Sequence, residues 1–142
     1  MIRFKQFLNE ELKMAGPNSK TEAQSFINKI YSHSSPNPLN PRERVFQTEN
    51  NVLIMLEMVP FDGYVHISNM VVLEKKFKMG AGTALLEYIT KTADKDGIWL
   101  HLLAKPWTKD ISKSKLESFY IKHGFKKIKG NNYMIREPKQ KK

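Results

Sequence analysis

One stretch, Val71-Val72-Leu73-Glu74-Lys75-Lys76-Phe77-Lys78-Met79-Gly80-Ala81-Gly82-Thr83-Ala84-Leu85-Leu86, constrains this chain more than any other. An apolar strand runs into a turn carrying Lys75, Lys76 and Lys78, then two glycines, then an amphipathic helix. Glycine lets a ligand approach the backbone closely. The first amides of a helix have no internal acceptors, and the helix dipole adds partial positive charge there. Together these make an anion site, and the lysines around it point to a pyrophosphate cradle. Walker A spacing is absent. Gly80-Ala81-Gly82 lacks the third glycine of a dinucleotide fingerprint, and no second βαβ unit follows.

The pattern on either side places this turn in one α/β domain spanning residues 1–142, with a basic tail at 137–142. Phe4, Phe7, Leu8 and Leu12 recur at helical spacing and predict a helix over residues 2–14. Gly16-Pro17-Asn18-Ser19 stops it. Thr21 is then the expected cap of a second helix over residues 22–32, with Phe26, Ile27, Ile30 and Tyr31 on one face. The prolines of residues 34–41 predict a loop. Strands are expected at 45–48, 52–59 and 64–73, an antiparallel meander. The near-continuous apolar run of the second reads as burial on both faces. A helix over residues 79–92 presents Ala84, Leu85, Tyr88 and Ile89 and ends at Asp96-Gly97. A buried strand at 98–104, a helix at 116–123 closing on Gly124, and a hairpin of 125–129 with 133–136 complete the chain.

Charge narrows the partners. Lys and Arg number 24 against 14 Asp and Glu, a net +10. The first hundred residues balance at +1 (12 against 11), and residues 101–142 carry +9 (12 against 3). Such a field favours anionic partners. No nucleic-acid reader motif accompanies it, so nucleic acid ranks last among them. The chain has no cysteine, which excludes disulfides, thiolate metal sites and cysteine nucleophiles, and no metal is expected. No apolar run approaches the roughly 20 residues of a membrane span. The scattered charges of the first dozen residues do not read as an export signal, and the expected location is cytoplasmic.

A second segment, Leu116-Glu117-Ser118-Phe119-Tyr120-Ile121-Lys122-His123-Gly124-Phe125, follows the glycine turn by about forty residues. Together the two resemble the GNAT acetyltransferase superfamily over roughly residues 43–136. That family's acetyl-CoA loop has the form Arg/Gln-x-x-Gly-x-Gly/Ala. Gly80 and Gly82 match its small positions, and Phe77 stands at the Arg/Gln position. Phe119, Tyr120, Gly124 and Phe125 match the later signature, and Lys113 stands where the family often carries Asn.

The resemblance implies a mixed, mostly antiparallel central sheet flanked by helices. It also implies direct acetyl transfer from acetyl-CoA, as co-substrate, to an amine. The implied cofactor contacts are Val72, Leu73, Lys76, Phe77, Lys78, Met79, Gly80, Ala81, Gly82 and Thr83, with the backbone at Val72 and Leu73 holding the pantetheine arm. Tyr120 matches the tyrosine that protonates the departing thiolate. The base is open among His66, His101 and a water relay. In histone-type members of that family a catalytic glutamate lies six residues before the apolar residue ending this strand. The resemblance carries that role to His66, six before Val72, with Ser68, Met70 and Val72 read on its face. The acceptor is read as a larger or acidic one, such as a protein lysine or amino terminus, because residues 101–142 hold only Asp110, Glu117 and Glu137 as acids.

Met1-Ile2-Arg3-Phe4-Lys5-Gln6-Phe7-Leu8-Asn9-Glu10 also resembles the short leaders of internal head proteins in some tailed bacteriophages, with Leu8-Asn9-Glu10 at the cleavage position. The alternative is an ordinary first helix. Phe77 and Lys113 keep a second function open beside the enzyme: a binding protein on a degenerate scaffold of this type, virion-associated or host-directed.

Overall fold

The protein, as a computed structural model, is described over residues 17–47, 52–72, 79–104, 112–128 and 133–139. The helix and leader expected within residues 1–14 lie outside these. In chain order the elements are α1 (Lys20–Tyr31), β1 (Ser35–Asn37), β2 (Asn40–Gln47), β3 (Leu53–Phe61), β4 (Tyr64–Val72), α2 (Met79–Asp96), β5 (Leu100–Leu103), α3 (Lys113–Lys122), β6 (Lys126–Lys127) and β7 (Tyr133–Arg136). Seven strands form one sheet in the order β1-β2-β3-β4-β5-β7-β6. Every neighbour is antiparallel except β4 and β5, so the sheet is mixed and mostly antiparallel as expected. No described helix is long and apolar enough to cross a membrane.

Several elements differ from the sequence expectation for identifiable reasons. Ser19, not Thr21, caps α1: its hydroxyl accepts from the Glu22 amide, and the Glu22 carboxylate accepts from the Ser19 amide. This Ser-x-x-Glu capping box sets the helix start at Lys20. Residues 34–41 are not simply a loop. Pro36 lies in the edge strand β1, where a missing amide is tolerated, and a bulge follows it. The apolar run in β3 is not buried on both faces; Ile54, Leu56 and Met58 are buried while Met55, Glu57 and Val59 between them are half-exposed. In α2 the buried stripe is Leu85, Leu86, Ile89 and Ala93, and Ala84 is exposed. Gly97, at φ 71, ends α2 with Ile98 N–H donating to the Ala93 carbonyl, a Schellman stop.

The core lies on one side of the sheet. Ile54, Leu56, Val65, Ile67, Leu100, Leu102 and Met134 point into it from the strands. Lys29 of α1 pairs with Asp96 of α2. Arg136 of β7 reaches both Asp94 of α2 and the carbonyl of His123 at the end of α3. Asn18, which the sequence reading treated only as part of a helix stop, ties three segments together. Its amide group donates to the Gly97 carbonyl and accepts from the Trp99 amide, and its own carbonyl accepts from Gly63 N–H.

Candidate active site

The parallel pair of β4 and β5 is short. It runs only through Val65↔Leu100, His66↔His101 and Ile67↔Leu102. Among the described residues β4 continues to Val72 without a strand beside it on that edge. The parting begins where β4 takes up an extra residue. Glu57 of β3 faces Asn69, but Met58 faces Ile67, so Ser68 is a bulge. A bulge bends its strand and increases its twist, and here it turns β4 away from β5. The displaced groups find partners: Met58 N–H donates to the Tyr31 hydroxyl at 2.8 Å, and the Ser68 hydroxyl donates to the Glu57 carboxylate at 2.5 Å.

The bulge also corrects the expected face of His66. Strict alternation would place Ser68, Met70 and Val72 with it. The extra residue shifts the phase, so Met70 is buried on the core side with Val65 and Ile67. His66 lies on the opposite side, half-exposed.

A cavity of about 470 Å³ fills the parting, lined along β4 from His66 to Val71, by Leu102 and Leu103 of β5, and by Tyr120 and Tyr133. Tyr120 enters from α3, and its place there follows from how that helix ends. Ser112 caps the start of α3 by accepting from the Lys115 amide. At the other end Gly124 sits at φ 95, Gly124 N–H donates to the Ile121 carbonyl, and Phe125 N–H donates to the Tyr120 carbonyl. These are the two bonds of a Schellman motif, with Tyr120 at C3, Gly124 at C′ and Phe125 at C″. The motif brings the Tyr120 and Phe125 rings to 5.6 Å, and both side chains are buried. The sequence signature Tyr-x-x-x-Gly-Phe is therefore a helix stop that seats the tyrosine on the cavity wall.

Both histidines considered as bases meet beside the cavity. His66 and His101 are register partners on the parallel pair, and their Nδ1 atoms lie 2.8 Å apart. His66 lines the cavity. The His101 ring packs 4.6 Å from Tyr64 and 4.9 Å from Tyr133. Burial, and then the neighbouring His66, push His101 down from 6.5 to about 4. Burial also lowers His66, and the Glu57 charge offsets part of that fall. Tyr133 is a cavity residue the sequence reading left out; its position in the final strand carried no chemical signal.

Of the expected cofactor contacts, Val72 ends β4, and the first turn of α2 contains Met79, Gly80, Ala81, Gly82 and Thr83, with Gly82 buried. Leu73, Lys76, Phe77 and Lys78, with Lys75, lie outside the described residues. Lys113 is the first residue of α3 and exposed. Among the described residues the parting leaves the β4 edge from Ser68 to Val72 without a partner strand, a row of backbone groups open to an added extended segment.

The sequence from β2 into β6, residues 41–127, matches the acetyltransferase (GNAT) domain family. The chain belongs to the GNAT acetyltransferases. The crystal structure of the anti-CRISPR protein AcrVA5 is similar at 23% identity and a TM-score of 0.47, covering 59% of this chain and 87% of that one. Among curated proteins none matches in sequence. In GNAT terms the parting of β4 and β5, the glycine-bearing helix start and the Tyr120 stop all fall within the matched residues.

Proposed function

We propose that this GNAT protein transfers acetyl from acetyl-CoA to a primary amine, with His66 receiving a proton from the acceptor and Tyr120 protonating the departing sulfur. The observation that carries the reading is the cavity between β4 and β5, whose lining includes both Tyr120 and His66. Acetyl-CoA supplies the thioester carbonyl that the amine attacks. The open edge of β4 from Ser68 to Val72 offers backbone groups to its pantetheine arm, and the Val72 amide is placed in this reading to polarise the carbonyl. Leu73 continues the backbone that holds the pantetheine arm, and Lys76, Phe77, Lys78 and the first turn of α2, Met79 to Thr83, hold the pyrophosphate in this reading.

His66 is neutral near pH 7, since burial lowers it, and so is ready to accept a proton from an acceptor ammonium. The freed amine nitrogen then bonds to the carbonyl carbon and the carbon–sulfur bond breaks. Tyr120 gives its hydroxyl proton to the sulfur and recovers one from solvent. The acceptor nitrogen loses two protons in all, one to His66 and one to water, and the net reaction releases a single proton.

The acceptor we read is a protein lysine or amino terminus in an acidic setting, because the +9 of residues 101–142 repels a small free cation. Titration calorimetry with acetyl-CoA tests the cofactor, and mass spectrometry of proteins from an expressing cell tests the acceptor. Binding, together with new acetyl groups on lysines or amino termini, is expected. No heat at millimolar acetyl-CoA overturns the reading.

A further inference from the structure

Two neutral imidazoles that touch through their Nδ1 atoms cannot both donate or both accept. His66 Nδ1 and His101 Nδ1 are 2.8 Å apart, so one ring carries its hydrogen on Nδ1 and the other on Nε2. The rings are not interchangeable. His66 lines the cavity with Leu102, Leu103 and Tyr120. His101 stands behind it, packed between the Tyr64 and Tyr133 rings. Were His101 the donor, the hydrogen of His66 would sit on Nε2, and the ring would keep no free lone pair to accept a proton. The opposite arrangement frees the Nε2 lone pair.

We propose that His101 is a positioning residue whose Nδ1 accepts the His66 Nδ1–H, so that His66 presents Nε2 to the cavity as a proton acceptor. This rests on the acetyl-transfer reading above. It also explains how a base works in this cavity without a carboxylate bonded to the ring. When His66 takes a proton on Nε2 it becomes an imidazolium, and its Nδ1–H stays on the His101 lone pair; no proton crosses between the rings. The groups facing the pair agree with the assignment. Glu57, from β3, favours charge on His66. The rings of Tyr64 of β4 and Tyr133 of β7 pack against His101. His101 is the ring held more firmly neutral, which suits an acceptor.

Long-range proton–nitrogen correlation spectra of the full chain labelled with ¹⁵N-histidine test this at pH 7.5. The wild type is expected to show hydrogen on Nδ1 of His66 and on Nε2 of His101; the reverse pattern overturns the proposal. His101→Phe keeps a ring between the two tyrosines but removes the acceptor. It should move the His66 hydrogen to Nε2 and lower turnover about tenfold, with little change in KM for acetyl-CoA, as when a supporting partner is lost from a catalytic histidine. His101→Asn, whose amide oxygen can occupy the Nδ1 position, should restore both the tautomer and most of the turnover. A His66 that keeps its Nδ1 hydrogen in His101→Phe, or an Asn variant no better than Phe, also overturns it. Turnover is followed with acetyl-CoA and a glutamate-rich peptide carrying one lysine. If the wild type transfers no acetyl to that peptide or to cell proteins while its tautomers are as expected, the transfer reading fails and the histidine arrangement stands.

Discussion

Arg136 and Asp94 form the connection between α2, α3 and the last strand, and the two halves of the pair should not cost the same to remove. Arg136 is 3% exposed. Its guanidinium donates to Asp94 Oδ1 at 2.8 Å and Oδ2 at 3.0 Å, and its Nε donates to the His123 carbonyl at 2.8 Å. Asp94 also accepts the Lys139 amide at 2.7 Å, and its side chain keeps 23% of its exposure. Asp94→Ala leaves a buried cation with a single carbonyl partner, and breaking a buried pair in this way costs about 3–5 kcal/mol. Arg136→Met roughly keeps the buried volume and leaves Asp94 with a backbone amide and water. That loss is about 1.5–2 kcal/mol, the scale of charge-assisted hydrogen bonds whose remaining partner stays solvated. At roughly 2–4 °C of melting temperature per kcal/mol in a chain of this size, the aspartate variant should melt some 5 °C or so below the arginine variant. Thermal melting and urea unfolding, both followed by circular dichroism, measure the temperatures and the free energies. Equal costs, or a costlier arginine variant, would refute the reasoning.

Three further outcomes are expected. Tyr120→Phe should lower acetyl transfer about a hundredfold with unchanged acetyl-CoA affinity, measured by thiol release and calorimetry. Unchanged turnover would remove Tyr120 from the mechanism. Gly124→Ala should destabilise by about 2 kcal/mol in urea, because φ is 95 and an added Cβ would lie 3.0 Å from Arg136 Nε, which is buried and bonded and cannot yield. The histidine pair should make stability depend on pH. Both rings titrate lower in the folded chain, so the unfolded chain binds more protons below about 6.5. Their contribution is present above that pH and is lost as pH falls toward about 4; a flat urea midpoint between pH 7 and 5 would count against a buried neutral pair.

The parts of the site readable in the sequence were those made by local chemistry. Tyr120, Gly124 and Phe125 act within one helix end, so their spacing alone carries the Schellman geometry. Gly97 stops α2 for the same reason. The Ser19-Lys20-Thr21-Glu22 capping box was equally local and could have been found in place of Thr21. What the sequence hid depends on pairing between distant strands. His66 and His101 were each singled out, yet only the parallel register of β4 and β5 makes them a pair. The phase shift at Ser68 has no glycine to mark it, and so Met70 was read onto the wrong face. Asn18 looked like part of a helix stop because its partners, Gly63, Gly97 and Trp99, are far along the chain.

The bulge at Ser68 has a consequence for how this domain trades order against use. Removing that one residue would leave Val65, Ile67 and Met70 on the core side and His66 opposite, since the shortened strand would again alternate. Glu57 to Met58 would then face an unbroken ladder, and β4 would lose the bend that separates it from β5. The resulting sheet would be more regular and no less well packed, but the space between Tyr120 and His66 would close. A single small side chain thus stands between a sheet perfected as a scaffold and one imperfect enough to admit a substrate.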